Sequence, residues 1–82
     1  MTEEDKRKKD MNQRRAIVFY KRETKVHVTM ISGTFYNGYV TEVSEDFFFL
    51  NDQKLGEKII FFCELKQPIE IWKEKEEKLE YD

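Results

Sequence analysis

Two periods divide this chain. From Thr2 to about Tyr20 there is no Gly or Pro, and the sparse apolar positions (Met11, Ala16, Val18, Phe19, Tyr20) form a narrow stripe near the C-terminal end. Thr2 suits an N-cap, and Glu3, Glu4 and Asp5 then fall in the first turn, where carboxylates favour the positive end of the helix dipole. The turns Lys6–Asp10 are almost wholly charged. The pattern therefore predicts an ordered helix near Asn12–Arg22, preceded by a looser, partly frayed extension over residues 1–11.

After Arg22 the period becomes two. Val26, Val28 and Met30 alternate with His27, Thr29 and Ile31 in a first strand that ends at Ser32-Gly33. Thr34 to Ser44 reads as a long second strand, with Phe35, Asn37, Tyr39, Thr41 and Val43 on one face and Tyr36, Gly38, Val40 and Glu42 on the other. Gly38 in mid-strand signals a bulge or sharp bend. Phe47-Phe48-Phe49-Leu50 is a third strand, too apolar to face water on either side. Asn51 to Glu57 reads as a turn, Lys58–Phe62 as a fourth strand and Cys63–Lys66 as a tight turn, and Pro68 opens a short fifth strand over Ile69–Trp72. Five short strands with a bend in the longest predict a mainly β domain over residues 12–72. It is a small, strongly bent, antiparallel five-stranded barrel behind an N-terminal helix, since a flat sheet this small would expose half of its aromatics. Residues 73–82 read as a charged tail, either a frayed helix or disordered.

Composition sharpens this in three ways. Eighty-two residues with twelve aromatics, seven of them Phe, make one domain near the lower limit of independent folding. Oligomerisation would add buried area that a monomer lacks. No run approaches the ~20 apolar residues of a membrane span, and the charged N-terminus does not resemble a signal peptide, so a soluble, cytoplasmic or otherwise intracellular protein is expected. Charge is unevenly placed: residues 1–25 hold nine Lys/Arg against five Asp/Glu, the remainder six against twelve. A basic segment on an acidic body suits a polyanion, an acidic neighbouring surface, or simply a solvated helix face.

Catalytic patterns are absent: there is no Gly-rich phosphate loop, HExxH or CxxC. His27, the only histidine, reads as a surface or barrel-edge residue. Cys63, the only cysteine, lacks a cationic neighbour in sequence and reads as a buried, inert thiol. Glu42, Glu45 and Asp46 cluster at a strand turn, either around a cation or, more ordinarily, in solvent. No metal, cofactor or small-molecule substrate is expected, nor an enzyme.

The order of elements, with V-x-V-x-M-I-S-G-T-F-Y-N-G-Y-V across Val26–Val40, resembles the Sm-like superfamily of Sm, LSm and Hfq-type proteins. Val26, Val28, Gly33, Phe35, Gly38 and Val40 stand at the hydrophobic and glycine positions of its first motif. The resemblance implies a homo-oligomeric ring of six or seven subunits, in which the fourth strand of one pairs with the fifth of the next. That makes Ile59, Ile60, Phe61, Ile69 and Ile71 candidate interface residues. It also implies RNA at the central pore. The family's pocket Asp and Asn, six and ten residues after the second glycine, correspond here to Ser44 and Phe48. Phe48 is thus a candidate to stack on a base, with Ser44 and Asn37 beside it, or else a core residue. The family's basic second motif is replaced by Phe61-Phe62-Cys63-Glu64, where Glu64 would repel phosphate. RNA contacts are therefore expected on the helix, from Lys6, Arg7, Lys8, Lys9, Arg14 and Arg15. The alternatives are a barrel that keeps the assembly but serves as a structural or protein-interaction module, and a monomeric SH3-like peptide binder.

Overall fold

The computed structural model describes residues 2–73. The order of elements is α1 (Glu3–Lys21), β1 (Lys25–Thr29), β2 (Phe35–Val43), β3 (Phe47–Asp52), β4 (Gly56–Phe61), a 3-10 turn at Phe62–Glu64, and β5 (Glu70–Ile71). The predicted fold class is present: one helix followed by five antiparallel strands. Beyond Lys73, the tail expected at 73–82 lies outside the described residues.

Helix α1 is longer at its start than its charge pattern suggested. It runs unbroken from Glu3, because the Thr2 hydroxyl accepts from the Asp5 N–H at 3.0 Å and satisfies a donor that would otherwise favour fraying. Ala16 and Phe19 face the core, and Asn12 is buried with its Oδ1 accepting from the Ile69 N–H at 3.2 Å. At the other end the Thr24 N–H reaches the Phe19 carbonyl (3.1 Å) and the Glu23 N–H the Tyr20 carbonyl (3.2 Å). That is a Schellman closure, with Glu23 at the left-handed position, φ 52°.

The sheet order is β4-β3-β2-β1-β5. It curls around a core of Val26, Val28, Val40, Phe48, Leu50, Ile60, Phe62 and Ile69, closed by Ala16 and Phe19 of α1. The alternation read in β1 is observed, with Val26 and Val28 inward and Lys25, His27 and Thr29 outward. In β2 the two faces are not kept throughout. Val40 pairs with Leu50 and Glu42 with Phe49, so Thr41 is an extra residue, and after this bulge Val43 turns toward the core. The register break thus lies three residues beyond Gly38. Gly38 serves a different need: a Cβ there would lie 1.9 Å from the Asn51 carbonyl oxygen. Gly33, at φ 101°, makes the β1–β2 turn in a conformation that side chains rarely adopt.

The curl does not close on itself. The 62–66 segment folds back along the far end of β1, where Met30 bridges Leu65, the Ile31 N–H donates to Glu64 O and the Lys66 N–H to Thr29 O. Among the described residues β4 pairs only with β3, and β5 only with β1. The outer edges of β4 and β5 therefore carry no strand partner among the described residues.

Candidate nucleic-acid interface and assembly edges

The residues expected at an RNA pocket separate into several environments. Phe48 is fully buried, its ring 5.4 Å from that of Phe62. The structure places it in the core, where it alternates inward with Leu50 along β3 and packs against Phe62 of the 3-10 turn. Ser44 is half-buried, and its carbonyl accepts from Gln13 Nε2 at 3.0 Å. Asn37 is 8 % exposed and structural. Its backbone N–H donates to Asp52 Oδ1 (2.9 Å), its carbonyl accepts from the Gln53 N–H, and its side-chain oxygen accepts from His27 Nδ1.

Asp52 organises this corner. Oδ1 takes the Asn37 N–H, while Oδ2 takes those of Lys54 and Leu55, all at 2.9 Å. Burial pushes its pKa up, but the three backbone donors from Leu55, Asn37 and Lys54, with the Lys54 charge, outweigh it and hold the carboxyl below its ordinary value. The carboxylate thus anchors the β3–β4 turn.

On the helix, the expected basic residues also divide. Arg15 is used internally, with Nε donating to the Ile69 carbonyl at 2.7 Å and the guanidinium lying 5.5 Å from the Phe19 ring centroid. Lys9 bonds Asp46 at 2.9 Å, and that hydrogen bond raises its pKa. The contact ties α1 to the β2–β3 turn and takes Asp46 from the Glu42/Glu45/Asp46 cluster. No metal-holding group of carboxylates, His or Cys forms among the described residues. Lys6, Lys8 and Arg14 are exposed. Lys8 and Lys9 meet Lys66, for which the sequence pattern carries no signal, around a cavity of about 330 Å³ between α1 and the 62–68 segment. Its walls include Met11, Ile31 and Leu65. Cys63 also lines it and is exposed, contrary to the expected buried thiol, because the 3-10 turn points Phe62 inward and the next side chain out.

A second group forms on the outer face of β1 and β5. His27 lies between Phe35 and Trp72, with ring centroids 5.5 and 5.7 Å away, and Lys25 Nζ is 5.6 Å from the Trp72 ring centroid. The two-residue alternation of β1 carried a signal for this cluster, since it places Lys25 and His27 opposite the buried valines. Trp72 joins only through the β1–β5 pairing.

The candidate interface residues lie on the two open edges but do not all face outward. Ile59, Phe61 and Ile71 are exposed, whereas Ile60 and Ile69 are core residues at 1 % and 0 %. Inward and outward positions alternate along β4, so Ile60 had to be internal once Ile59 and Phe61 were out. On the outer face Phe61 sits 5.5 Å from Phe47, which in turn sits 5.7 Å from Phe49. The β5 edge opens into a cavity of about 540 Å³ lined by Arg15, His27, Glu70, Ile71, Trp72 and Lys73.

This helix and five-stranded antiparallel sheet match the fold of a solved structure. The crystal structure of the pleiotropic translational regulator Hfq aligns with a TM-score of 0.63 and 19 % identity over 71 % of this chain and 93 % of its own. The fold is Sm-like. At that identity the likeness concerns the fold alone. No family model matches the chain, and no curated protein matches it in sequence. The Sm-like frame nonetheless makes the departures concrete: Phe48 is packed in the core, and Glu64 is exposed where the family's basic motif was expected. No helix among the described residues is long and apolar enough to cross a membrane.

Proposed function

We propose that this protein assembles into a closed homo-oligomeric ring and binds single-stranded RNA without catalysing a reaction, in RNA metabolism or regulation inside the cell. The observation that carries the proposal is the pair of edges, β4 and β5, that have no strand partner among the described residues and lie at opposite ends of one bent sheet. Each edge has exposed apolar side chains, Ile59 and Phe61 on one and Ile71 on the other. Joining β4 of one copy to β5 of the next is a heterologous contact, which closes into a ring when the rotation between subunits divides a full turn. It would also fill the cavity beside Ile71 and Trp72. Six or seven subunits is the size implied by the Sm-like resemblance.

RNA as partner is supported by the exposed Lys6, Lys8 and Arg14 on α1, by the Lys8–Lys9–Lys66 convergence, and by the aromatic rings at the sheet surface. Cations track phosphate while flat apolar surfaces accept bases, the usual division in single-strand binding. A solved structure that shares this fold is that of a translational regulator, which agrees with an RNA-directed role.

A second reading, a ring that serves as a structural or protein-interaction module, is favoured by one observation. The buried Phe48 and the exposed Glu64 leave the family's usual pocket without its polar and basic groups. Light scattering on the purified protein, with and without nuclease, separates the two. A ring that binds labelled oligo-U or oligo-A at ~50 mM salt, where phosphate contacts are strongest, supports the proposal. A ring without RNA binding under those conditions leaves the module reading, and a monomer overturns both.

A further inference from the structure

The groove between α1 and the 62–68 segment has a chemistry of its own. Its walls combine the polar Asn12 and Gln67 with apolar side chains, among them Met11 and Ile31 at 41 % and 65 % exposed, and the described residues leave this apolar surface uncovered. Three ammonium groups, Lys8, Lys9 and Lys66, border it against one carboxylate, Asp5. Lys9 is already engaged by Asp46, which leaves Lys8 and Lys66 as the cations able to turn toward a ligand. At about 330 Å³ the groove falls within the ~300–1,000 Å³ of clefts that hold small ligands.

An apolar slot with a cationic rim suits an anion joined to a flat, weakly polar body. A nucleotide unit is such a molecule: its base gains by leaving water against thioether and aliphatic walls, while its phosphate stays at the rim beside the lysines. Met is well suited to such a wall, because its unbranched, polarisable side chain adapts to ring faces of different shape. We infer that this groove takes one nucleotide of a bound RNA strand, with the base against Met11, Ile31 and Leu65 and the phosphate on Lys8 and Lys66. This rests on the RNA-binding reading and adds a place where the strand leaves the surface and inserts a base. Of the polar side chains in the walls, Asn12 Oδ1 already accepts from the Ile69 N–H and Gln67 Nε2 donates to Glu70, so the slot contributes affinity with little sequence preference.

Cys63 provides a direct reporter. It lines the groove, is exposed, and is the only cysteine in the chain. The rate of its alkylation by iodoacetamide is measured in the full-length protein, free, with saturating oligo-U or oligo-A, and with inorganic polyphosphate at equal charge. Binding is followed in parallel by fluorescence anisotropy. Protection by RNA but not by polyphosphate is the expected result, with Met11→Ala lowering protection. Lys66→Glu should lower RNA affinity by roughly tenfold at low salt, by removing one phosphate contact and adding a repulsion. If anisotropy shows RNA bound while Cys63 reacts at the free rate, this inference is overturned and the RNA reading stands. Equal protection by polyphosphate overturns base insertion, since the groove would then read charge alone. Absence of RNA binding at ~50 mM salt removes both together.

Discussion

At Gly38 a single hydrogen atom decides whether two strands can approach. The ideal Cβ position lies 1.9 Å from Asn51 O and 2.7 Å from Asn51 C, both backbone atoms of β3, so no side-chain rotation relieves the clash. Gly38→Ala is therefore expected to cost at least about 3 kcal/mol, the upper range for overpacking, seen as a large fall in the urea midpoint. Asp52 makes the complementary case, in which a charge is needed rather than an absence. Its folded pKa lies below the unfolded value of roughly 3.9, so its contribution is complete above that pH and is lost as pH falls through the folded value. Asp52→Asn, keeping shape but not charge, turns one of the two acceptor oxygens into an NH2 donor that leaves at least one backbone N–H unpaired, and should destabilise by about 1–3 kcal/mol at pH 7. It should also flatten the decline of stability between pH 5 and pH 2, a range set by that roughly 3.9 reference. An unchanged pH profile in urea denaturation would show that other carboxylates govern acid unfolding.

Among the elements, α1 ends on a residue its geometry does not favour. Glu23 occupies the left-handed Schellman position at φ 52°. A side chain there costs about 1–2 kcal/mol, while glycine adds about 0.5–1 kcal/mol of unfolded-state entropy. Glu23→Gly should thus stabilise by roughly 0.5–1 kcal/mol, whereas Glu23→Ala should not, as measured by thermal or urea denaturation. Much at this scale was legible in the sequence: the Thr2 cap, the change of period after Arg22, and each strand within a few residues. Those signals are local, because a cap or an alternating valine acts on its own segment. What was not legible depends on contacts between segments. The Thr41 bulge arises from pairing with β3, and Gly38 answers to Asn51 rather than to its own neighbours. Phe48 in the core and Phe49 at the surface are indistinguishable as letters until the phase of β3 is set by its partners. The lysine-rimmed groove draws on α1, the β1–β2 turn and the 62–68 segment at once, so no single stretch of sequence announced more than Lys8 and Lys9 in it.

For the whole molecule, the proposed assembly and the proposed RNA binding would rest on different forces and should separate under salt. Ring closure through β4 and β5 would combine backbone hydrogen bonds with the burial of Ile59, Phe61 and Ile71, neither of which is strongly screened. RNA binding through Lys6, Lys8, Arg14 and Lys66 would release counterions from phosphates, with log K falling against log salt at about −0.7 per contact on a single strand. Raising salt from about 50 to 200 mM should therefore leave the particle mass unchanged while lowering RNA affinity steeply. A charge at the edge should do the reverse. Ile59 is half exposed, so Ile59→Lys leaves the core intact but places an ammonium where the neighbouring strand must pack, the device by which sheet edges avoid pairing. The variant is expected to keep its unfolding transition and run as a monomer in light scattering at any salt. Its RNA affinity should fall because the basic surfaces of separate subunits no longer act on one strand. A variant that stays in the ring would place the subunit contact away from β4, and a ring that dissolves at 200 mM salt would mean that charge, not the open sheet edges, holds it together.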